Sequence, residues 1–344
     1  MLTFLDFFSG TGGFRLGMEY AGHKCLGHCE IDKYANISYN ALHNPSEEEW
    51  FCDDIRKANE TTIPTADVWC AGFPCQDISI AGNQRGFQGE RSSLFFTITS
   101  LIRRIKKENR PQLLFFENVK NLFSVNGGWD FAKLLIELDE IGYDCEWELL
   151  NTKDFGLPQN RERVFIIGHL RGKCGRKVFP IERSSSENSP RQLIGGSQGM
   201  RIYDCSGTSV CLSANGGGQG AKTGLYTVKA CLTPDRVNKR QNGRRFKNEG
   251  EPSFTLTAQD RHGILIENLK TGENFIRKLT PLECFRLQGY TDEQFEVLRN
   301  LHSDAQLYKQ AGNGVSIPVI YEIASRFEEK IPEEEIQEDL SSLV

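Results

Sequence analysis

No stretch of the chain approaches the roughly 20 consecutive apolar residues that cross a bilayer, so a membrane-spanning helix is not expected. The first residues, Met1-Leu2-Thr3-Phe4-Leu5-Asp6, lack the basic start of a secretory signal, which points to the cytoplasm. Eleven cysteines do not amount to a disulfide framework: the number is odd, the chain is long, and no export signal accompanies them. The one compact cluster, Cys25-Leu26-Gly27-His28-Cys29, lacks a second ligand pair at zinc spacing, so no metal is expected. There is also no overall excess of basic charge, the net value being -5.

What is present is unevenly distributed. Between Arg171 and Lys278 stand 19 Lys/Arg against 9 Asp/Glu, so one segment carries a surplus of +10 while the rest of the chain is acidic. A confined basic surplus is the electrostatic footprint of a lobe that faces phosphates, although a solvated surface would look alike. At 344 residues the chain is long for one domain and comfortable for two. Apolar strand-like runs at residues 4–8, 24–29, 68–71, 113–116, 145–150 and 164–168 alternate with helical patterns such as 94–107 and 129–141, which predicts a doubly wound α/β sheet. After Arg171 the texture becomes short β-like runs between Gly, Ser and Asn, with a Ser-rich hinge at 183–190. Helical texture returns at 281–287 and 317–327, and the acidic end reads as a solvated tail. A weak repeat, Cys211-Leu212-Ser213-Ala214 and Thr255-Leu256-Thr257-Ala258, suggests two similar strands.

Five short segments carry chemistry. Asp6-Phe7-Phe8-Ser9-Gly10-Thr11-Gly12-Gly13 joins a strand to a helical pattern, and its glycines allow a backbone to approach a ligand closely. Glu30 follows Gly10 by 20 residues, at the end of the next strand, where an acid can hold both hydroxyls of a ribose. Asp54, one unit further, can accept from an adenine amino group; together these describe a nucleoside-bearing cofactor. Gly72-Phe73-Pro74-Cys75-Gln76 then sets a cysteine on a stiff turn after a strand. A lone cysteine is more often buried than reactive. The polar, Gly-bearing stretch 76–93 reverses that preference, because it has the composition of a hinged loop able to close over a site. Glu117-Asn118-Val119 ends another apolar run, and Gln159-Asn160-Arg161-Glu162-Arg163 supplies two guanidinium groups before the next; each could also be an ordinary ion-pair residue.

These segments, with Gln310-Ala311-Gly312-Asn313-Gly314-Val315, resemble in order the motifs of cytosine-5 DNA methyltransferases of the bacterial or phage restriction-modification type. The resemblance covers nearly the whole chain. It implies a Rossmann-like S-adenosylmethionine-dependent methyltransferase sheet with a smaller, irregular β-rich target-recognition domain. Residues 1–170 would bind cofactor and catalyse, 171–275 would recognise the target, 276–327 would return to complete the catalytic domain, and 328–344 would be the tail. It implies that the Cys75 thiolate adds to carbon 6 of cytosine, so that carbon 5 attacks the sulfonium methyl. Glu117 would hold ring nitrogen 3 and the amino group, Arg163 the carbonyl oxygen, and Arg161 would support the acid and the loop. No dedicated base for the carbon 5 proton is visible, which leaves water. Around S-adenosylmethionine, Phe8 would pack on the adenine, Gly10, Thr11, Gly12 and Gly13 line the methionine portion, Glu30 take the ribose, and Asp54 with Ile55 read the adenine edge. Asp6, Ile31 and Pro74 belong to the same set, and Leu94, Asn313, Gly314 and Val315 would close the pocket.

A duplex hides carbon 6, so the cytosine must be flipped out of double-stranded DNA. Residues 198–203 and 212–218 resemble recognition loops of the family's GCGC-specific member. Gln198 is the candidate to fill the gap and Arg201 to read a base, with Tyr203, Gly216 and Gly217 beside them. Arg244, Arg245 and Arg261 are further candidates for DNA contact. Residues 233–262 depart from that member, so a GCGC target does not follow. The reading includes a cognate restriction endonuclease acting on the same site and a monomer on DNA. Its rivals are a tRNA cytosine-5 methyltransferase sharing every catalytic motif, a catalytically silent DNA-binding module, and a nucleotide-dependent oxidoreductase, which would leave Cys75, Glu117 and Arg163 without roles.

Overall fold

A computed structural model describes residues 1–73, 94–173, 177–181, 202–203, 226–232, 247, 251–256, 262–268 and 274–327. The chain divides into two compact units: residues 1–150, 163–182 and 319–344, and residues 151–162 with 183–318.

The first unit is built on strands β1 (Thr3–Phe7), β2 (Lys24–Cys29), β3 (Trp50–Cys52), β4 (Val68–Gly72), β5 (Leu113–Val119), β6 (Tyr143–Asn151) and β7 (Glu162–Leu170), in the order β3-β2-β1-β4-β5-β7-β6. Helices α1 (Gly13–Tyr20), α2 (Lys33–His43), α3 (Leu94–Arg104) and α4 (Trp129–Glu140) are interleaved with them. The central strands are apolar on both faces because both are covered, as Phe4, Leu5 and Phe7 of β1 illustrate, each with no exposed surface. Asp6 interrupts that run and is equally buried. The sheet is parallel from β3 through β5, but β7 runs antiparallel to β5, with Val119 opposite Arg163 and Leu113 opposite His169. The reversal has a functional consequence: it brings the start of β7 to the carboxyl end of β5. Strand and helix positions follow the apolar pattern closely, with β5, β6 and β7 longer than their apolar cores because flanking polar residues continue the ladders. The short β3 and the helix α2 carry little periodic signal; α2 is nonetheless started by Asp32, whose carboxylate accepts from the amides of Tyr34 and Ala35.

The second unit contains an antiparallel sheet of β8 (Ile202–Tyr203), β9 (Tyr226–Leu232), β10 (His262–Asn268) and β11 (Asn274–Lys278), ordered β11-β10-β9-β8. It also holds helices α5 (Pro281–Arg286), α6 (Asp292–Arg299) and α7 (Asp304–Asn313). Pro281 at the first helical position and capping boxes Thr280/Glu283 and Thr291/Gln294 explain where α5 and α6 begin. The division between units falls after Pro318, inside α8 (Ile317–Ala324), so α5–α7 group with the recognition-side residues rather than with the first unit. Of the two similar runs expected as strands, 211–214 lies outside the described residues. Residues 255–256 are not a strand; Ser253 just before them forms an isolated bridge with Gln159.

Candidate active site

The turn between β1 and α1 is built around unusual backbone angles. Phe8 sits at φ 56, Gly10 at φ 56 and Gly12 at φ 85, and a non-glycine residue in that region marks stored strain of the kind that gathers at functional sites. A Cβ on Gly10 would meet nothing within 4 Å, so the backbone there borders open space. Gly12 differs: a Cβ would come 2.0 Å from Nε2 of His43. As N-cap of α1, Gly12 provides no side-chain acceptor for the helix's first amides. Thr11, Gly12 and Gly13 are buried, while Phe8 and Gly10 are half-buried.

Glu30 follows directly on β2 and reaches back to this turn. One carboxylate oxygen accepts from the Gly10 amide at 2.8 Å and the other from the Asp32 amide at 2.7 Å. Burial raises its pKa above the ordinary carboxylate range, with the two amides countering. Each oxygen retains a lone pair for a further donor. Ile31 beside it is 65% exposed, a large apolar side chain left mostly in the open. Asp54 caps the turn of residues 55–57 and binds Arg56 through both oxygens, at 2.7 Å for the closest pair; that hydrogen bond lowers its pKa. Ile55 packs into the core.

Asp6 does not stand at the open surface that its place in the motif suggests. It is fully buried, and neither carboxyl oxygen has a hydrogen-bond partner in normal geometry. Burial pushes its pKa well above the usual value, and attraction from the amide and guanidinium of Arg15 offsets that only in part. The motif's leading acid therefore lies beneath the turn, because a central strand alternates faces that are both covered.

At the carboxyl end of β5 the sheet brings two of the catalytic candidates, Glu117 and Arg163, together. Gly72 pairs in register with Glu117, and the Asn118 side-chain amide donates to Phe73 O at 3.5 Å, fixing the backbone just ahead of Pro74 and Cys75. Pro74, Cys75 and the loop 76–93 lie outside the described residues. Because Val119 is opposite Arg163, Glu117 and Arg163 are diagonal neighbours on one face, within reach for long side chains. Arg163 Nε lies 2.9 Å from Glu117 Oε1, with side chains 15% and 11% exposed. A carboxylate and a guanidinium are thus held side by side in a largely desolvated position, where breaking the pair costs far more than at a surface. Leu94 opens α3 and is half-buried.

Within the second unit, Arg161 is buried and binds three carbonyls: Leu256 at 3.1 Å, Gly312 at 3.3 Å and Gly314 at 2.6 Å. Gln159 uses both ends of its amide, accepting from Leu256 N–H at 3.0 Å and donating to Leu287 O at 2.6 Å. Gln288, which no motif reading picked out, donates to Ala311 O at 2.6 Å and accepts from Ser316 Oγ at 3.2 Å. Thr152 closes the group on Ser316 at 2.6 Å. This buried network fixes the turn of Asn313, Gly314 and Val315, of which Asn313 is exposed and the other two half-buried. Of the DNA-reading candidates, Tyr203 belongs to β8, whereas Gln198, Arg201, Gly216, Gly217, Arg244, Arg245 and Arg261 lie outside the described residues.

Among the described residues no helix is long and apolar enough to cross a membrane. A family model for C-5 cytosine-specific DNA methylases matches residues 2–329. The orphan methyltransferase M.SPRI of Bacillus phage SPR is 30% identical over 94% of this chain and 96% of its own length. The type II methyltransferase M.NlaX of Neisseria lactamica is 35% identical over 95% and 96%. Among solved structures, the methyltransferase EhMeth of Entamoeba histolytica superposes with a TM-score of 0.61 over 95% of this chain and 98% of that one, at 16% identity, a likeness of fold. With ordered motifs, a methyltransferase-type sheet and an acid–guanidinium pair already in place, a match of this extent makes the chain a member of the C-5 cytosine-specific DNA methylase family, an enzyme that moves a methyl group from a donor to DNA.

Proposed function

We propose that the chain methylates carbon 5 of a flipped-out cytosine in a specific duplex sequence, with S-adenosylmethionine as donor, as part of a restriction-modification system. The observation that carries this reading is the Glu117–Arg163 pair at the carboxyl end of β5, with Gly72 of β4 in register beside it and Cys75 three residues further along the chain. The donor reading rests on the open face at Gly10, the lone pairs left on Glu30 and the exposed Ile31. Those are a close backbone approach, an acceptor for ribose hydroxyls and an apolar face for a base. Phe8, Thr11, Gly12, Gly13 and Leu94 complete the donor's surroundings in the first unit. Asp54 reads the adenine edge once Arg56 shares it.

The bound donor supplies an electrophilic methyl group. The Cys75 thiolate adds to carbon 6, and the electron pair displaced towards carbon 5 makes that atom nucleophilic. Glu117 accepts from the exocyclic amine and, having taken up a proton from solvent when the base binds, gives that proton or a hydrogen bond to ring nitrogen 3 as charge develops. Arg163 binds the carbonyl oxygen at position 2 and, through its 2.9 Å contact, keeps Glu117 oriented. Once the methyl is in place, the carbon 5 proton leaves to water and Cys75 departs by elimination. Arg161 acts at one remove, positioning the 312–314 backbone and Leu256.

Residues 1–170 bind donor and catalyse, 171–275 recognise the target, and 276–327 complete the machinery. Gln198 enters the space the cytosine vacates and Arg201 reads a base edge. A cognate endonuclease acting on the same sequence, a monomeric state on DNA and a cytoplasmic location belong to the same reading. Duplex DNA bearing 5-fluorocytosine at the target tests the chemistry, since fluorine at carbon 5 blocks the elimination. Covalent trapping is expected with S-adenosylmethionine and lost in Cys75→Ala; trapping through another cysteine would sink the assignment.

A further inference from the structure

The glycine turn is restrained by four hydrogen bonds. The Ser9 amide donates to Cys29 O at 3.2 Å, the Gly10 amide to Glu30 at 2.8 Å, and the Gly12 amide back to Ser9 O at 2.8 Å. A fourth restraint comes from a residue outside every motif. His43, the last residue of α2, sets its Nε2 3.2 Å from Thr11 O. A carbonyl only accepts, so this nitrogen carries the ring proton. Burial first, then repulsion from Arg15, pushes the ring's pKa down to about 3, which leaves it neutral at physiological pH.

The ring is itself held. It leans on Tyr39 at 4.5 Å between centroids, Tyr39 stacks on His28 at 3.7 Å, and the Tyr39 hydroxyl faces Arg15 Nη1 at 3.4 Å. Arg15 in turn pairs with Glu49 at 2.6 Å. On the other side the ring occupies the space that the missing side chain of Gly12 leaves, since a Cβ there would lie 2.0 Å from Nε2. Gly12 is thus required twice over, by its φ of 85 and by the imidazole seated against it.

We propose that His43 is a positioning residue for methyl transfer: its Nε2–H holds the Thr11–Gly12 peptide in the orientation that receives the methionine portion of the methyl donor. The inference rests on the reading that residues 10–13 line the donor. Without the hydrogen bond, the peptide gains rotational freedom that donor binding must then remove, so the loss falls on donor affinity and not on the chemical step.

Two substitutions of equal reach separate the hydrogen bond from the packing. His43→Gln places an amide N–H the same number of bonds from Cα as Nε2, whereas His43→Met fills that length with no donor. Calorimetric titration with S-adenosylhomocysteine should show His43→Met weaker than wild type by about 3- to 12-fold, the worth of one hydrogen bond, and His43→Gln within about twofold. In steady state the Met variant should raise KM for S-adenosylmethionine while kcat stays within about twofold, the signature of lost uniform binding. Wild-type affinity in the Met variant, or equal weakening in both variants, overturns the role. If neither variant folds, ¹⁵N NMR of the wild-type imidazole decides: protonated Nε2 at neutral pH is expected, and protonated Nδ1 overturns it. Failure of the wild type to bind S-adenosylhomocysteine would overturn the donor reading and this inference with it, whereas wild-type binding with an unaffected Met variant removes the inference alone.

Discussion

Replacing Glu117 with Gln separates the cost of a broken ion pair from the cost of a lost catalytic group. Arg163 Nε donates to Glu117 Oε1 at 2.9 Å, with both side chains mostly buried. The Gln carbonyl can still accept from that N–H, so what disappears is one charge of a charge-assisted bond, about 1–2 kcal/mol. A stability loss of that size is small beside the roughly 5–15 kcal/mol of a folded domain. Methyl transfer should fall much further, because an amide cannot give a proton to ring nitrogen 3. A drop of about 100- to 10,000-fold corresponds to roughly 3–5.5 kcal/mol on the barrier. The two magnitudes do not overlap, so three measurements on one preparation distinguish them: single-turnover transfer of a labelled methyl group to duplex DNA, anisotropy titration with the same duplex, and urea unfolding. Transfer should collapse, DNA affinity should stay within about threefold, and the unfolding midpoint should move only modestly. Turnover within tenfold of wild type, or a loss that merely tracks the unfolded fraction, would refute a catalytic Glu117 and leave it structural.

Asp6→Asn should stabilise the protein at neutral pH. A carboxyl whose folded pKa is raised binds its proton more tightly folded than unfolded, so wild-type stability should decline as pH rises above about 3.9 towards the folded pKa, and the amide should abolish that decline. Chemical unfolding of both proteins across pH would contradict this if Asn gave no gain or kept the slope. In the basic segment, Arg201→Ala should shift discrimination at one base pair by about 1–3 kcal/mol. Arg244→Ala and Arg245→Ala should instead weaken binding evenly and flatten its salt dependence. Methylation profiling over a random-sequence library reads both effects, and an unchanged profile for an active Arg201→Ala would move suspicion to Arg261 and His262.

Much of the first unit was legible because strands buried on both faces read as continuous apolar runs, and glycine, proline and acid residues at their ends stand out by contrast. Glu117 and Arg163 stood out in the sequence as an acid and a guanidinium beside apolar runs, although 46 positions separate them, and the structure pairs them; Cys75 lies outside the described residues. His43 was not legible. Its proposed role comes from a 3.2 Å contact with the Thr11 carbonyl and from the space that Gly12 leaves beside the ring, and no periodicity records either. Gln288 was missed for a related reason: a buried amide is recognisable as part of a network only when the carbonyl of Ala311 and hydroxyl of Ser316 it bonds are known.

Sequence alone determined the family, the order of elements in the sheet-forming half and the residue types proposed to carry the reaction, because these depend on local pattern and on motif order. Tertiary structure decided which of those residues meet. The antiparallel course of β7 sets Val119 opposite Arg163 and so brings the guanidinium to Glu117; a parallel β7 would have carried it to the far end of the strand. Tertiary structure also placed Asp6 beneath the turn and gave Arg161 to the carbonyls of Leu256, Gly312 and Gly314. The physical reason is common to all three: strand direction, burial and hydrogen-bond partnership are settled by contacts between segments far apart in the chain, which a local pattern does not encode.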